Sequence, residues 1–135
     1  MIQRIQTLLL ILAVALNIGF IFTPLQAHAF ADPTAWISSG LLAGLLIASV
    51  ISLYSIFLFK DRKKQVLWVT RAMIFQIIAI GFAAGIMFTL GGIGNYLWDE
   101  GLSLLLIILA LVLQYLAVHY IKKDENLVKS MDRIR

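Results

Sequence analysis

The chain has 135 residues, of which 61% are hydrophobic and only 13% are charged, and its mean hydropathy is +0.96. A soluble domain is roughly 45–50% apolar and about 25% charged, so these values exclude an ordinary soluble domain of this length. The lack of cysteine excludes disulfides, thiol catalysis and cysteine-bound zinc or iron–sulfur sites, and the net charge of +4 reflects basic residues that flank apolar segments rather than a nucleic-acid-binding face.

Four apolar segments follow one another along the chain, at about residues 5–23, 34–59, 66–90 and 101–121. Each is close to the ~20 residues that a helix needs to cross a bilayer. The pattern predicts an all-α integral membrane protein. We expect an antiparallel four-helix transmembrane bundle over residues 1–121, followed by a short amphipathic cytoplasmic helix over residues 122–135.

The first segment has two interpretations. Arg4 precedes the apolar run, Pro24 interrupts it, and Ala27-His28-Ala29 has the small-x-small form of a signal-peptidase site. The apolar run of residues 7–23 is, however, longer than the ~7–15 residues of a signal-peptide core. We expect the segment to be retained as the first span.

Small residues recur every four positions in the second and third segments. Residues four apart share one face of a helix, and small side chains there let two helices approach closely within a membrane. We expect these faces to pack on each other or on another span, with a homodimer seam as the alternative. The residues are Gly40, Gly44, Ala48 and Ser52 in the second segment and Gly81 and Gly85 in the third.

Three amide side chains, Asn17, Gln76 and Gln114, lie within apolar segments. A carboxamide in hydrocarbon is costly unless it is hydrogen-bonded. Asn17 and Gln76 both lie near the middle of a span, so we expect them to bond each other and to have a structural role rather than to bind a polar substrate. The middle of each segment lacks charged residues, which argues against a proton-coupled carrier that works alone.

The basic residues indicate the orientation in the membrane. All eleven lie in three places: before the first segment, in or just after the connection between the second and third segments, and after the fourth segment. The first and third connections carry only acids. Lys and Arg near span ends stay on the cytoplasmic side, so both termini are predicted to be cytoplasmic. The residues are Arg4, Lys60, Arg62, Lys63, Lys64, Arg71, Lys122, Lys123, Lys129, Arg133 and Arg135.

The sequence predicts no catalytic residue, cofactor or metal. His28 and His119 belong to opposite membrane faces, so they cannot ligate one haem. His28 with Asp32 would supply too few ligands for a specific metal site. Asp99 and Glu100 are adjacent carboxylates, which we expect to be solvated.

The tail carries an apolar stripe at helical spacing, formed by Leu127, Val128, Met131 and Ile134. An isolated helix this short is marginal in water, so the stripe needs a partner. Anionic lipid headgroups, the chain's own cytoplasmic loop and another protein are the three alternatives.

Three segments resemble one known family: MIQRIQT at the start, FKDRKKQ at residues 59–65, and KKDENLVKSMDRIR at the end. They are similar to a group of small bacterial four-span inner-membrane proteins, the domain of unknown function four-two-nine-three. The resemblance implies a retained first span, four helices and a cytoplasmic tail. It implies no activity and no catalytic residue.

These observations favour a non-enzymatic accessory or interaction protein of the bacterial inner membrane. One alternative is a small-solute carrier or channel that works as an oligomer, in which the amides and Ser49, Ser52 and Ser55 would line a wet path. Another is a membrane enzyme that acts on a lipid-soluble substrate near Asp99 and Glu100.

Overall fold

The computed structural model describes residues 2–31, 35–89 and 98–134, and confirms an all-α fold. Three of its helices are long and apolar enough to cross a membrane, and a bent pair would make a fourth. The helices are α1 (Ile2–Phe20), α2 (Pro24–Ala31), α3 (Ala35–Phe57), α4 (Arg62–Thr89) and α5 (Trp98–Asp132).

The first apolar segment is a broken helix, and most of the residues expected to connect the first two spans are helical. α1 ends in a tight turn, in which the Thr23 amide donates to the Phe20 carbonyl at 3.0 Å. Pro24 has no N–H with which to continue the ladder, so the chain starts again as α2, bent by 50° from α1. Leu25 and Ala29 of α2 are buried, so this helix belongs to the core.

The charged connection between α3 and α4 is shorter than the sequence indicates. α4 begins at Arg62, four residues before the apolar segment, because Asp61 caps it. The Asp61 carboxylate accepts a hydrogen bond from the Lys64 backbone amide at 3.3 Å, which together with the Lys64 side chain lowers the pKa of Asp61. Basic residues expected in a loop are therefore helical.

The last helix runs without a break from Trp98 to Asp132 and has a length of 35 residues. The predicted separate tail helix is therefore the end of α5, not an independent element. Ile134 lies beyond the last helical turn, where its amide donates to the Met131 carbonyl at 3.3 Å. We refer to residues 122–132 as the α5 extension.

The core repeats along each long helix at intervals of three or four residues. It comprises two apolar clusters, one around Phe20, Leu41 and Ile107 and one around Leu10 and Ile121. The pairing of Leu10 with Ile121 and of Phe20 with Ile107 shows that α1 and α5 run in opposite directions. Between the two clusters lie buried polar side chains, which form the site described next.

Candidate functional site

A reciprocal pair of amides lies at the centre of the fold. The Asn17 Nδ2 donates to Gln76 Oε1 at 2.9 Å, and the Gln76 Nε2 donates to Asn17 Oδ1 at 2.9 Å. The second protons are also used, since Asn17 donates to Ser49 Oγ at 3.2 Å and Gln76 to the Ile107 carbonyl at 3.1 Å. This amide layer therefore links α1, α3, α4 and α5, and its donors are satisfied internally.

A second polar contact lies one turn further along the core. The Gln114 Nε2 donates to Ser52 Oγ at 3.2 Å, and both residues are fully buried. The Gln114 Oε1 has no hydrogen-bond partner in the described part of the chain. Ser49 and Ser55 donate to the carbonyls of Leu45 and Ser52. The three serines proposed to line a wet path are thus buried and hydrogen-bonded within the core.

Sequence reasoning missed three further buried amides: Gln6, Gln26 and Gln65. Two of them could have been found from helical spacing. Gln65 is the first of the buried residues of α4 that continue with Val69, Ala72 and Gln76, and Gln6 lies on the same face of α1 as the buried Leu10. Gln26 was not detectable, since it lies in the segment expected to be a connection. Both side-chain polar atoms of Gln26 lack a partner among the described residues.

The small-residue face of α3 packs on α4. A Cβ added at Gly44 would lie 3.1 Å from the Cβ of Ala79, and one added at Gly40 would lie 3.0 Å from the Phe82 ring. Ala48 and Ser52 on the same face are fully buried. Close approach of the two helices therefore depends on the glycines of α3.

The small residues of α4 do not form the other half of this contact. A Cβ added at Gly81 or Gly85 would meet no described atom within 4 Å, and both glycines are exposed. The small residues of α3 thus pack on another span, but they do not meet Gly81 or Gly85, because α4 uses Ala79 and Phe82 against α3 instead. The homodimer alternative for Gly81 and Gly85 stays a prediction.

Glu100 is buried rather than solvated, contrary to the expectation for a loop acid. It lies in the first turn of α5 and starts the buried row of that helix, whereas Asp99 is exposed. The His28 Nε2 lies 3.2 Å from Glu100 Oε1, which ties α2 to α5, and Glu100 Oε2 has no partner among the described residues. Asp99 and Glu100 therefore diverge and do not form a carboxylate pair.

The arrangement offers little to a metal. The described residues contain no group of three or more His, Asp or Glu side chains that could hold a metal ion. Asp32, considered as a partner of His28, lies outside the described residues. The carboxylate that His28 contacts on α5 is that of Glu100. An imidazole with one carboxylate is too small a donor set for a specific metal site.

The α5 extension is held to the start of α4. The Arg62 Nη2 lies 3.1 Å from Asp124 Oδ2, and both side chains are partly buried. On another face, Lys129 Nζ lies 2.7 Å from Glu125 Oε1, and this hydrogen bond lowers the pKa of Glu125. Beyond these contacts the predicted apolar stripe is exposed: Leu127 at 47%, Val128 at 39%, Met131 at 68% and Ile134 at 88%.

The comparisons with known proteins identify the family but no activity. The model of one family, described as Domain of unknown function (DUF4293), matches residues 2–134. No curated protein and no solved structure matches the chain. The match covers the whole fold described above, including α1, the amide layer and the α5 extension, and it confirms the resemblance seen in the sequence. The chain therefore belongs to this family, which is described as a domain of unknown function.

Proposed function

We propose that the chain is a non-enzymatic accessory protein of the bacterial inner membrane, with its first span retained. In this arrangement α1 with α2, α3, α4 and the apolar part of α5 form an antiparallel four-span bundle with both termini in the cytoplasm. Basic residues support this orientation, because they are concentrated at the start of α4 and in the α5 extension, which the ion pair of Arg62 with Asp124 brings together. The extension then projects into the cytoplasm and binds a partner protein.

The packing of α1 supports its retention. Leu10, Ala13 and Phe20 are fully buried, and Asn17 supplies one half of the amide layer. Loss of residues 1–29 would leave Gln76 in the core without its partner. The small-x-small sequence also lies within α2, where Ala29 is 1% exposed and contributes to the core.

The observation that carries the proposal is the unbroken course of α5. A stripe that lies on lipid needs its helix in the plane of the membrane surface. α5 instead continues without a break from its apolar part, and nine residues of helix separate Met131 from Lys122 by about 14 Å along the helix axis. The ion pair between Arg62 and Asp124 holds this direction. The exposed Leu127 and Met131 side chains are thus presented to the cytoplasm.

The test is a crosslinking pull-down from native membranes with the full chain. Leu127→Asp should remove the partner, because it places a charge in the apolar stripe. Ser130→Asp is the matched control, since it adds the same charge at an exposed position on the same helix, and it should retain the partner. Identical partner lists for wild type and Leu127→Asp would contradict the proposal.

A small-solute carrier or channel is the second candidate, and one observation favours it. Glu100 is a buried ionisable residue with an unpartnered oxygen, and such residues in membrane proteins often mark substrate or proton paths. Transport would require the amide layer to open, since its donors are used within the core. A Glu100→Gln variant that abolished a solute flux measured in proteoliposomes would establish this alternative.

A further inference from the structure

A cleft on one face of α5 has an unusual lining. It has a volume of about 500 Å³ and is lined by His119, Lys122, Lys123, Asn126 and Leu127. The first four recur at intervals of three, one and three residues, so they lie on a single helical face. Each of these four side chains can donate hydrogen bonds, and two carry a permanent positive charge.

This cleft contains no carboxylate, unlike two neighbouring clefts at the same end of the fold. The cleft beside the α3–α4 connection includes Asp61 and Glu125, and the one further along α5 includes Asp132. The acids nearest in sequence are engaged elsewhere, since Asp124 binds Arg62 and Glu125 binds Lys129. The two lysines of the cleft are therefore left for an external anion.

The position of the cleft along α5 identifies the kind of anion. Residues 101–121 contain no charged side chain, so the change from apolar to cationic occurs at His119–Lys122. On the same face below it, Val112 is 45% exposed and Tyr115 is 60% exposed. In a membrane this exposed strip contacts acyl chains, and the cleft lies at the depth of the lipid phosphates.

We propose that this cleft is a binding site for one anionic phospholipid, with its phosphate between Lys122 and Lys123 and its acyl chains along Val112 and Tyr115. The inference rests on the proposed membrane arrangement of α5. Leu127 lies at the edge of the cleft and also belongs to the stripe that we assign to a protein partner, whereas Met131 does not line the cleft. His119 and Asn126 add hydrogen bonds that distinguish the site from a general positive surface.

Native mass spectrometry of the full chain in mild detergent tests the site, with phosphatidylglycerol and phosphatidylcholine as probes. The wild type should retain phosphatidylglycerol in preference to phosphatidylcholine. The Lys122→Gln/Lys123→Gln variant should bind it about tenfold more weakly or worse, since each lysine near an anionic headgroup contributes about a fivefold change. Lys122→Arg/Lys123→Arg should restore binding, because it keeps both charges.

The control is Lys60→Gln/Arg133→Gln, which removes the same net charge outside the cleft and leaves the pair of Lys129 with Glu125 intact. It should change binding by no more than about twofold, because exposed charges about a Debye length away are screened. An equal loss in this control would overturn the proposal. So would capture of inorganic phosphate alone with no preference between the two lipids. A topology reporter on the same variants shows separately whether the membrane arrangement, rather than the lipid site, has failed.

Discussion

At the residue scale, the reciprocal amide pair is the feature on which the core depends most. Asn17 and Gln76 come from helices far apart in sequence, and each satisfies the other in an environment that offers few alternatives. A buried polar group that loses its partner costs more than the hydrogen bond itself contributes. The pair therefore fixes the register of α1 against α4.

Removal of both members of the pair should destabilise the fold by less than the sum of the two single removals. Asn17→Leu leaves Gln76 with an unpaired buried amide and should cost about 1–3 kcal/mol, whereas Asn17→Leu/Gln76→Leu should cost less than the sum of the single changes. Unfolding in mixed micelles, with exposed Asn126→Leu as the control, measures this coupling. Additive effects of the two substitutions would show that the pair does not act as a unit.

The ion pair of Glu125 makes the extension sensitive to acid. The hydrogen bond from Lys129 lowers the pKa of Glu125 in the folded protein. The stabilisation that this ion pair gives the helix is therefore present above the ordinary glutamate range and is lost as the pH falls through the lowered pKa. NMR titration should give a lower Glu125 pKa in wild type than in Lys129→Gln, in which the pKa returns toward the ordinary glutamate value. Equal values in the two proteins would mean that the contact does not persist in solution.

At the scale of helices, α3 and α4 show that similar glycine patterns have different roles. Gly44→Leu should destabilise the fold by about 1–3 kcal/mol, because its side chain would collide with Ala79 and with the Phe75 carbonyl. Gly85→Leu is the matched control on α4, where a side chain has open space. It should preserve or raise stability, since leucine is the better helix former. Equal destabilisation by both would contradict the packing described here.

The contact between Arg62 and Asp124 should control the order of the extension. Arg62→Gln removes both the ion pair and the hydrogen bond to the Asp124 carbonyl, so amide hydrogen exchange in residues 125–132 should rise by several-fold, a loss of about 1 kcal/mol or less for a partly exposed pair. Lys64→Gln, which disrupts the more exposed pair with Asp61, should leave exchange there unchanged. A similar increase in both variants would exclude a specific role for Arg62.

The sequence predicts the long helices well because apolar length and helical spacing act locally. It cannot reveal that the glycine face of α3 is packed and that of α4 is open, since this depends on how Phe82 and Ala79 of α4 contact α3. Nor does it reveal α2, because a short segment that starts with a proline and contains Gln26 and His28 resembles a loop until packing buries Leu25. Glu100 was misjudged for the same reason, because only the approach of His28 gives it a place in the core.

At the scale of the whole molecule, α1 joins the two halves of the core. It contributes to both apolar clusters through Leu10 and Phe20 and to the amide layer through Asn17. The intact mass of the protein purified from membranes should therefore include residues 1–29. A mass that lacks these residues would show that the site at Ala27–Ala29 is cleaved and that the fold described here is not the mature form.

In the proposed topology α1 with α2, α3, α4 and α5 cross the membrane and leave the α3–α4 connection and the α5 extension on the same cytoplasmic side. The chain has no cysteine, so single-cysteine variants of the full protein report position without background. In spheroplasts of a bacterial host, a membrane-impermeant maleimide should label Asp99→Cys directly, and Lys63→Cys and Ser130→Cys only after the membrane is opened. The proposed topology would be contradicted if Ser130→Cys were labelled in intact spheroplasts, or if Lys63→Cys and Ser130→Cys were labelled from opposite sides.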